Sequence, residues 1–181
     1  MERKIIFAGP VGAGKTTAID TISDIPVVST EQAASDEVAL RKSNTTVAMD
    51  YGVLNLDDGL RVHLYGAPGQ DRFDFMWEIL TLGGMGLVLL LDRSSERFMA
   101  DLNHFLNAFE RFIRQVDGAV VIGITRNDIA AETGLTPVRQ VLQQRGLNVP
   151  LFEVDARDKR DVRQLLLALL ANVHPAVARS L

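Results

Sequence analysis

Short apolar runs recur along the chain and predict the strands of a sheet. The six runs, several of them rich in β-branched residues, span residues 4–9, 46–56, 60–66, 86–92, 119–125 and 151–155. Those at 86–92 and 119–125 are continuously apolar, as expected for central parallel strands covered on both faces. The turn sequence Asp-Asp-Gly at 57–59 predicts a hairpin between the second and third runs. Residues 27–30 fit either a short strand or a loop.

Between these runs, apolar residues recur at helical spacing. The pattern is clearest over residues 96–116, where the apolar side chains follow the i, i+3, i+4 rule. They are Phe98, Leu102, Phe105, Leu106, Phe109 and Phe112. Further helices are predicted after Gly14 and over residues 136–146 and 159–173. Residues 31–44 have no clean period and are interpreted as a mobile surface segment.

Strands that alternate with helices after an early hairpin predict one α/β domain over residues 1–181. We expect a three-layer sandwich around a mixed, mostly parallel six-stranded sheet. One strand of that sheet, contributed by the hairpin, is expected to be antiparallel. Residues 174–181 are expected to form a frayed tail.

Composition narrows the class of protein. Of 181 residues, 47% are hydrophobic and 23% are charged, which is typical of a folded domain. The net charge of −4 argues against a general nucleic-acid binder. The absence of Cys excludes disulfides, thiolate metal ligands and prenyl or palmitoyl anchors. Because the longest apolar run is far short of the roughly 20 residues that span a bilayer, we expect a cytoplasmic protein without a membrane anchor.

The segment Gly9–Thr16 reads GPVGAGKT and matches the full G-x-x-x-x-G-K-[ST] pattern of a phosphate-binding loop. Its glycines let the backbone curl so that amide N–H groups surround phosphate oxygens. Lys15 can reach the β- and γ-phosphates, and the Thr16 hydroxyl can ligate magnesium. The sequence therefore predicts binding of a nucleoside triphosphate. The predicted contacts are Gly9, Gly12, Ala13, Gly14, Lys15, Thr16 and Thr17.

The residues that end the run at 119–125 favour guanine as the base. Thr125-Arg126-Asn127-Asp128 resembles the guanine-reading Asn-Lys-x-Asp motif of Ras-like GTPases, with a hydroxyl in place of the first amide. The Asp128 carboxylate can accept hydrogen bonds from two adjacent guanine donors, and adenine offers no such pair. The Arg126 stem can pack over the base. A solvated strand-to-helix loop is the alternative interpretation.

The resemblance to Ras-like small GTPases covers nearly the whole chain, and it implies the P-loop NTPase fold. The pattern is most similar to ADP-ribosylation-factor-like proteins and to bacterial Ras-like GTPases of the gliding-polarity type. Asp155-Ala156-Arg157 stands where these proteins have Ser-Ala-Lys. The resemblance implies that the Ala156 N–H faces the guanine carbonyl oxygen and that Arg157 belongs to the same site.

The resemblance extends to two switch segments. Thr46 falls where a hydroxyl ligates magnesium and the backbone senses the γ-phosphate, with Thr45 as the alternative. Gly69 falls where an N–H turns to the γ-phosphate, and Gln70 where a side chain orients the attacking water. Catalysis is thereby assigned to Gln70 and Lys15, and magnesium ligation to Thr16 and Thr46.

One residue departs from the family pattern at the metal. Gly66 stands where Ras-like proteins have an Asp that helps to hold magnesium, which predicts weakened magnesium affinity. Asp50, on the neighbouring strand, is a hypothetical substitute. Val11 stands where Ras has a Gly, close to the space that an arginine from an activating partner enters. Its branched side chain predicts slow intrinsic hydrolysis or a different arrangement of the accelerating partner.

The resemblance implies a switch that binds GTP and GDP with Mg²⁺, hydrolyses GTP, and signals to a regulatory or effector protein. For the bacterial group, the implied partner is of the roadblock type. Two alternatives stay open at this point. One is a pseudo-GTPase module with negligible turnover, and the other is an ATP-dependent P-loop phosphotransferase.

Overall fold

The computed structural model describes residues 3–29, 49–56, 59–70, 74–129 and 134–173. The predictions for residues 31–44, Thr45, Thr46 and 174–181 lie outside these ranges. The strands are Arg3–Ala8 (β1), Val28–Ser29 (β2), Asp50–Asn55 (β3), Arg61–Gly66 (β4), Gly84–Asp92 (β5), Val120–Thr125 (β6) and Leu151–Glu153 (β7). The helices are Lys15–Ile22 (α1), Asp74–Thr81 (α2), Phe98–Ala108 (α3), Glu110–Gln115 (α4), Thr136–Gln144 (α5) and Lys159–Val173 (α6).

The strands form one seven-stranded sheet in the order β2-β3-β4-β1-β5-β6-β7. Strand β3 runs antiparallel to both of its neighbours, while β4, β1, β5, β6 and β7 pair in parallel. The predicted α/β class, the hairpin and its single antiparallel strand are therefore confirmed. The prediction of six strands is one short. The added edge strand, Val28–Ser29, has two residues and is too short to show an alternating pattern.

Helices cover both faces of the sheet, which makes the three layers. Side chains of β1 alternate between the two cores: Ile5 and Phe7 join one, and Ile6 and Ala8 the other. Helices α1 and α6 bury their apolar faces in the first core. Helices α2, α3, α4 and α5 bury theirs in the second. The continuous apolar runs of β5 and β6 follow from this burial on both faces.

The helical pattern predicted over 96–116 is divided at Phe109 between α3 and α4. The backbone hydrogen bonds nevertheless continue, since Phe109 N donates to Phe105 O at 3.0 Å and Ile113 N donates to Phe109 O at 2.8 Å. The chain thus follows one helical path with a local distortion. Phe105, Phe109 and Phe112 are all buried, as their spacing predicts.

The parallel strands end at the same edge of the sheet, and the loops there carry the polar motifs. The glycine-rich loop follows β1, Asp92 ends β5, the segment Arg126–Ile129 follows β6, and residues 154–158 follow β7. In open α/β sheets, ligands bind at this edge. Among the described helices, none is both long enough and apolar enough to cross a bilayer.

We expect the stability of the domain to depend strongly on the α6 face of the core. Leu165 is fully buried, and its truncation to Ala is expected to lower the free energy of unfolding by about 2–5 kcal/mol. The matched control is Leu82→Ala, because Leu82 is 70% exposed. Urea denaturation measures both variants, and equal losses would contradict the described packing.

Candidate functional site

The glycine-rich loop runs from the end of β1 to the start of α1 and packs against a neighbouring loop. Gly14 caps α1 in the left-handed region at φ 91°, a conformation that side chains disfavour. A Cβ at this position would also lie 3.1 Å from the Cβ of Ala156. Ala13 is fully buried. The loop is therefore held between β1 and the segment after β7.

Lys15 begins α1, and its charge lies against the loop. The side chain is buried, and Nζ donates to the carbonyl oxygens of Gly9 and Pro10 at 2.8 Å each. This geometry brings a cation to the amino end of a helix whose dipole is also positive there. An anion bound at the loop would be stabilised both by the positive charge of Lys15 and by the dipole of α1.

Thr125, the last residue of β6, joins the loop to the sheet. Its side chain is 3% exposed, and its hydroxyl lies 3.0 Å from Ala13 O and 3.2 Å from Leu91 O. A hydroxyl has one proton to donate, so the two carbonyls share it. The hydroxyl thus holds the phosphate loop against β5 and β6.

A cavity of about 570 Å³ opens beside the loop, within the size range of ligand sites. The predicted residues that line it are Gly12, Ala13, Gly14, Thr17, Thr125, Arg126, Asp128, Ala156 and Arg157. The lining residues that were not predicted as ligand contacts are Asn127, Ile129, Glu153, Val154, Asp155 and Asp161. The cavity therefore brings together the glycine-rich loop and both of the predicted base-reading segments.

At the far end of the cavity, Arg157 lies between two carboxylates. Its Nη2 is 2.7 Å from Asp155 Oδ2 and 3.4 Å from Asp128 Oδ2. Hydrogen bonds from the Arg157 side chain and backbone lower the pKa of Asp155 from 3.8 to about 2. The same side-chain bond raises the pKa of Arg157. Asp128 is 59% exposed, so its carboxylate is accessible to a ligand.

Arg126 crosses from β6 to the glycine-rich loop. Its backbone is left-handed at φ 58°, Nε lies 3.0 Å from Asp92 Oδ2, and Nη2 donates to Gly12 O at 3.2 Å. The guanidinium thereby connects the loops after β1, β5 and β6. Its side chain forms part of the cavity wall, as predicted for a residue that packs over a base.

Asn127 is a site residue that sequence reasoning passed over. Its amide Nδ2 donates to Ile124 O at 2.7 Å and to Val154 O at 3.4 Å, which fastens β6 to the segment after β7. Its Oδ1 is buried and has no hydrogen-bond partner within the described ranges. Its position in the motif accepts any residue, so the only signal was an Asn at the end of a strand.

Those remaining predicted residues that the structure describes lie outside the cavity lining, and several of them are on the other side of the loop. A Cβ at Gly69 would lie 2.6 Å from Val11 N, so only Gly permits this approach to the loop. Gln70 follows and is exposed. The segment before Gly69 is fixed by Trp77, whose Nε1 donates to Pro68 O at 2.9 Å.

Thr16 and Gly9 complete the placement of the predicted residues. Thr16 is exposed at the start of α1, and its hydroxyl donates to Asp50 Oδ2 at 2.5 Å. Gly9 is buried, and its carbonyl accepts from Lys15. Thr16 and Gly69 therefore lie on the side of the loop that faces β3 and β4, whereas Asp128 and Arg157 lie at the cavity end.

Comparisons with known proteins agree on a nucleotide-binding protein. The model of a family described as "Conserved hypothetical ATP binding protein" matches residues 26–173, a range that begins after the glycine-rich loop. An uncharacterized protein of Methanocaldococcus jannaschii is 32% identical over 93 residues, 51% of this chain and 53% of that protein. The chain thus spans about half the length of that relative.

Two further relatives align over most of both chains. GTP-binding protein YPTM2 of Zea mays is 18% identical over 178 residues, which cover 97% of this chain and 81% of that protein. The mutual gliding-motility protein MglA of Myxococcus xanthus is 26% identical over 162 residues, covering 84% and 80%. The predicted resemblance to Ras-like small GTPases is confirmed.

Loss of the Thr125 hydroxyl is expected to loosen the glycine-rich loop. Thr125→Val keeps the shape but leaves two buried carbonyls short of a donor, at a cost of about 1–3 kcal/mol in the free energy of unfolding. Thr136→Val, at an exposed position, is the control and is expected to change stability little. A Thr125→Val protein as stable as the control would show that the hydroxyl does not carry the connection.

Proposed function

The chain belongs to the family described as conserved hypothetical ATP-binding proteins. Within that nucleotide-binding family, we propose that the chain is a guanine-nucleotide-binding switch that hydrolyses GTP to GDP and phosphate. The observation that supports this most is a single cavity that reaches from the glycine-rich loop to Asp128. In this proposal, one nucleotide would have its phosphates at the glycine-rich loop and its base beside Asp128. The family description names ATP, while YPTM2 is described as GTP-binding.

The choice of guanine rests on the acceptor at the end of the cavity. Asp128 presents a carboxylate whose Oδ2 lies 3.4 Å from Arg157 Nη2, at the end of the cavity away from the glycine-rich loop. An ionised carboxylate only accepts hydrogen bonds, so it matches the two donors on the guanine edge. Adenine would leave it without those donors and would lose affinity. ATP as the ligand is the second candidate, and the family description is the observation that favours it.

The phosphate end supplies charge and positioned donors for hydrolysis. Lys15 and the loop amides would stabilise the negative charge of the γ-phosphoryl group. Gln70 is exposed beside Gly69, where it would orient a water molecule. Val11 is 66% exposed on the loop next to Gly69, and its bulk there is the basis for a slow intrinsic rate.

Magnesium fits the donor chemistry beside the loop. The Thr16 hydroxyl and the carboxylate with which it is hydrogen-bonded are hard oxygen donors, the type that Mg²⁺ prefers. Thr46, outside the described ranges, would add a second hydroxyl. When bound, Mg²⁺ would neutralise charge on the phosphates.

The output of the switch would be a protein contact. Helix α2 follows Gln70 and exposes Phe75 by 61% and Ile79 by 58%, four residues apart and so on one side of the helix. Leu82, which directly follows the helix, is 70% exposed. Hydrolysis would change the contacts near Gln70 and so reach this helix. A regulatory or effector protein, of the roadblock type that the resemblance implies, is the proposed partner, and the cytoplasm is the proposed location.

Asp128→Asn is expected to weaken GTP binding by roughly 10- to 100-fold, because one charged acceptor is replaced by a group that also carries donors. The measurement is competition of GTP and of ATP against a fluorescent GDP analogue. The matched control is Asp117→Asn, which changes an exposed Asp before the opposite end of β6. Asn also tolerates the positive φ of that position.

The competition also separates the two bases. If the wild-type protein prefers ATP and Asp128→Asn leaves that preference unchanged, the result would contradict the guanine proposal and support binding of adenine. Loss of affinity in the Asp117→Asn control to the same degree would mean that the effect is not local to the cavity.

Gln70→Leu is expected to slow single-turnover GTP hydrolysis at least about tenfold with nucleotide affinity retained, since only the water loses its orienting group. Gln164→Leu, at an exposed position on α6, is the control. No measurable turnover by the wild-type protein, alone or with a partner, would favour a binding module without catalysis.

A further inference from the structure

We propose that Asp50 of β3 supplies the carboxylate of the magnesium site, in place of the Asp that the resemblance implies at position 66. This inference rests on the proposed nucleotide-binding function and assigns one more residue to it. The carboxylate would come from the neighbouring antiparallel strand instead of from β4. The site would therefore keep its charge while the β4 residue is Gly66.

The position of Asp50 is the first observation. The side chain is buried, with 9% of the residue exposed, and a buried carboxylate is costly unless it is hydrogen-bonded and paired with a positive charge. Its recorded partner within the described ranges is the Thr16 hydroxyl, which donates to Oδ2 at 2.5 Å. Thr16 directly follows Lys15 at the start of α1. The carboxylate thus lies at the amino end of the helix that the phosphate loop opens.

The fit between positions 50 and 66 is the second observation. Asp50 pairs with Gly66 across the β3–β4 ladder. A Cβ built at position 66 would lie 3.0 Å from both Asp50 Cβ and Asp50 Oδ2, and 3.2 Å from Ile19 Cδ1. The Asp50 side chain therefore occupies the space that a residue 66 side chain would enter. Glycine at 66 is what leaves room for a carboxylate from β3.

The chemistry suits a magnesium ion shared with phosphates. Proteins usually hold Mg²⁺ through one or two carboxylates, with substrate phosphates and waters completing the shell. The Thr16 hydroxyl donates a hydrogen bond to Asp50, so the lone pairs of the Thr16 oxygen stay available to a metal. Asp50 would both orient that hydroxyl and add negative charge beside the cation. A hydrogen-bonded partner of a ligand commonly changes metal affinity when it is removed.

The first arm of the test replaces the charge and keeps the shape. GDP-loaded Asp50→Asn protein is titrated with Mn²⁺ and followed by electron paramagnetic resonance. We expect affinity for the ion to fall by roughly 10- to 100-fold. GDP affinity in excess EDTA should match that of the wild type. The control is Asp101→Asn, which removes another buried carboxylate, on α3.

The results distinguish this inference from the proposed function. Unchanged Mn²⁺ affinity in Asp50→Asn, with GDP bound, would overturn the role of Asp50 alone. Failure of the wild-type protein to bind guanine nucleotide in either EDTA or Mn²⁺ would overturn both, because the proposed function is the premise.

The second arm exchanges the two residues. Asp50→Gly alone should weaken Mn²⁺ binding, and the double variant Asp50→Gly/Gly66→Asp should recover much of it, since the carboxylate returns from β4. Gly66→Asp alone should be destabilised, because two carboxylates would crowd the same space. A double variant that folds but binds Mn²⁺ no better than Asp50→Gly would contradict the exchange.

Discussion

The site depends on how closely the glycine-rich loop packs against the backbone of its neighbours. On one side, a Cβ at Gly14 would lie 3.1 Å from the Cβ of Ala156. On the other, a Cβ at Gly69 would lie 2.6 Å from Val11 N and 2.8 Å from Pro10 C. The buried Thr125 hydroxyl then connects the same loop to β5 and β6. Because interiors packed this closely have few voids, a side chain added at either contact would move the loop. Residues distant in sequence thus determine the shape of a short loop.

This packing divides the site into two chemically different halves. The cavity half ends at Asp128, Arg157 and Asp155, where ion pairs arrange a carboxylate beside a guanidinium. The other half contains Lys15, Thr16 and Asp50, where a cation and oxygen donors surround the start of α1. These halves match the two parts of a nucleotide: the first offers hydrogen-bonding groups of the kind that bind a base, and the second offers the charge and oxygen donors of the kind that bind phosphates and a metal. The loop lies between the halves and belongs to both.

Sequence reasoning succeeded where local pattern determines structure. Continuous apolar runs predicted β5 and β6, and helical spacing of apolar residues predicted α6, because both patterns follow directly from which side chains are buried. It failed where the outcome depends on distant neighbours. The two-residue strand β2 exists only because it pairs with β3. The distortion at Phe109 leaves the apolar spacing unchanged, so the pattern did not reveal it.

The same distinction holds for the site. A glycine-rich motif with Lys and Thr carries its chemistry in consecutive residues, and Asp128 belongs to a short motif at a strand end. The ion pair of Arg126 with Asp92 and the bonds of Asn127 to β6 and the segment after β7 join parts of the chain that no motif links. Of the two aromatic residues of α2, Trp77 is core and Phe75 is exposed. Both residues follow Gln70 closely in the sequence, and this pattern did not indicate which of the two would be buried.

A crystal structure with a non-hydrolysable GTP analogue and Mn²⁺ tests the central claim most directly. The account predicts phosphates along the glycine-rich loop, guanine at Asp128, and an anomalous peak beside Thr16 on the Asp50 side. A base outside the cavity, or bound nucleotide whose guanine makes no hydrogen bond to Asp128, would contradict it.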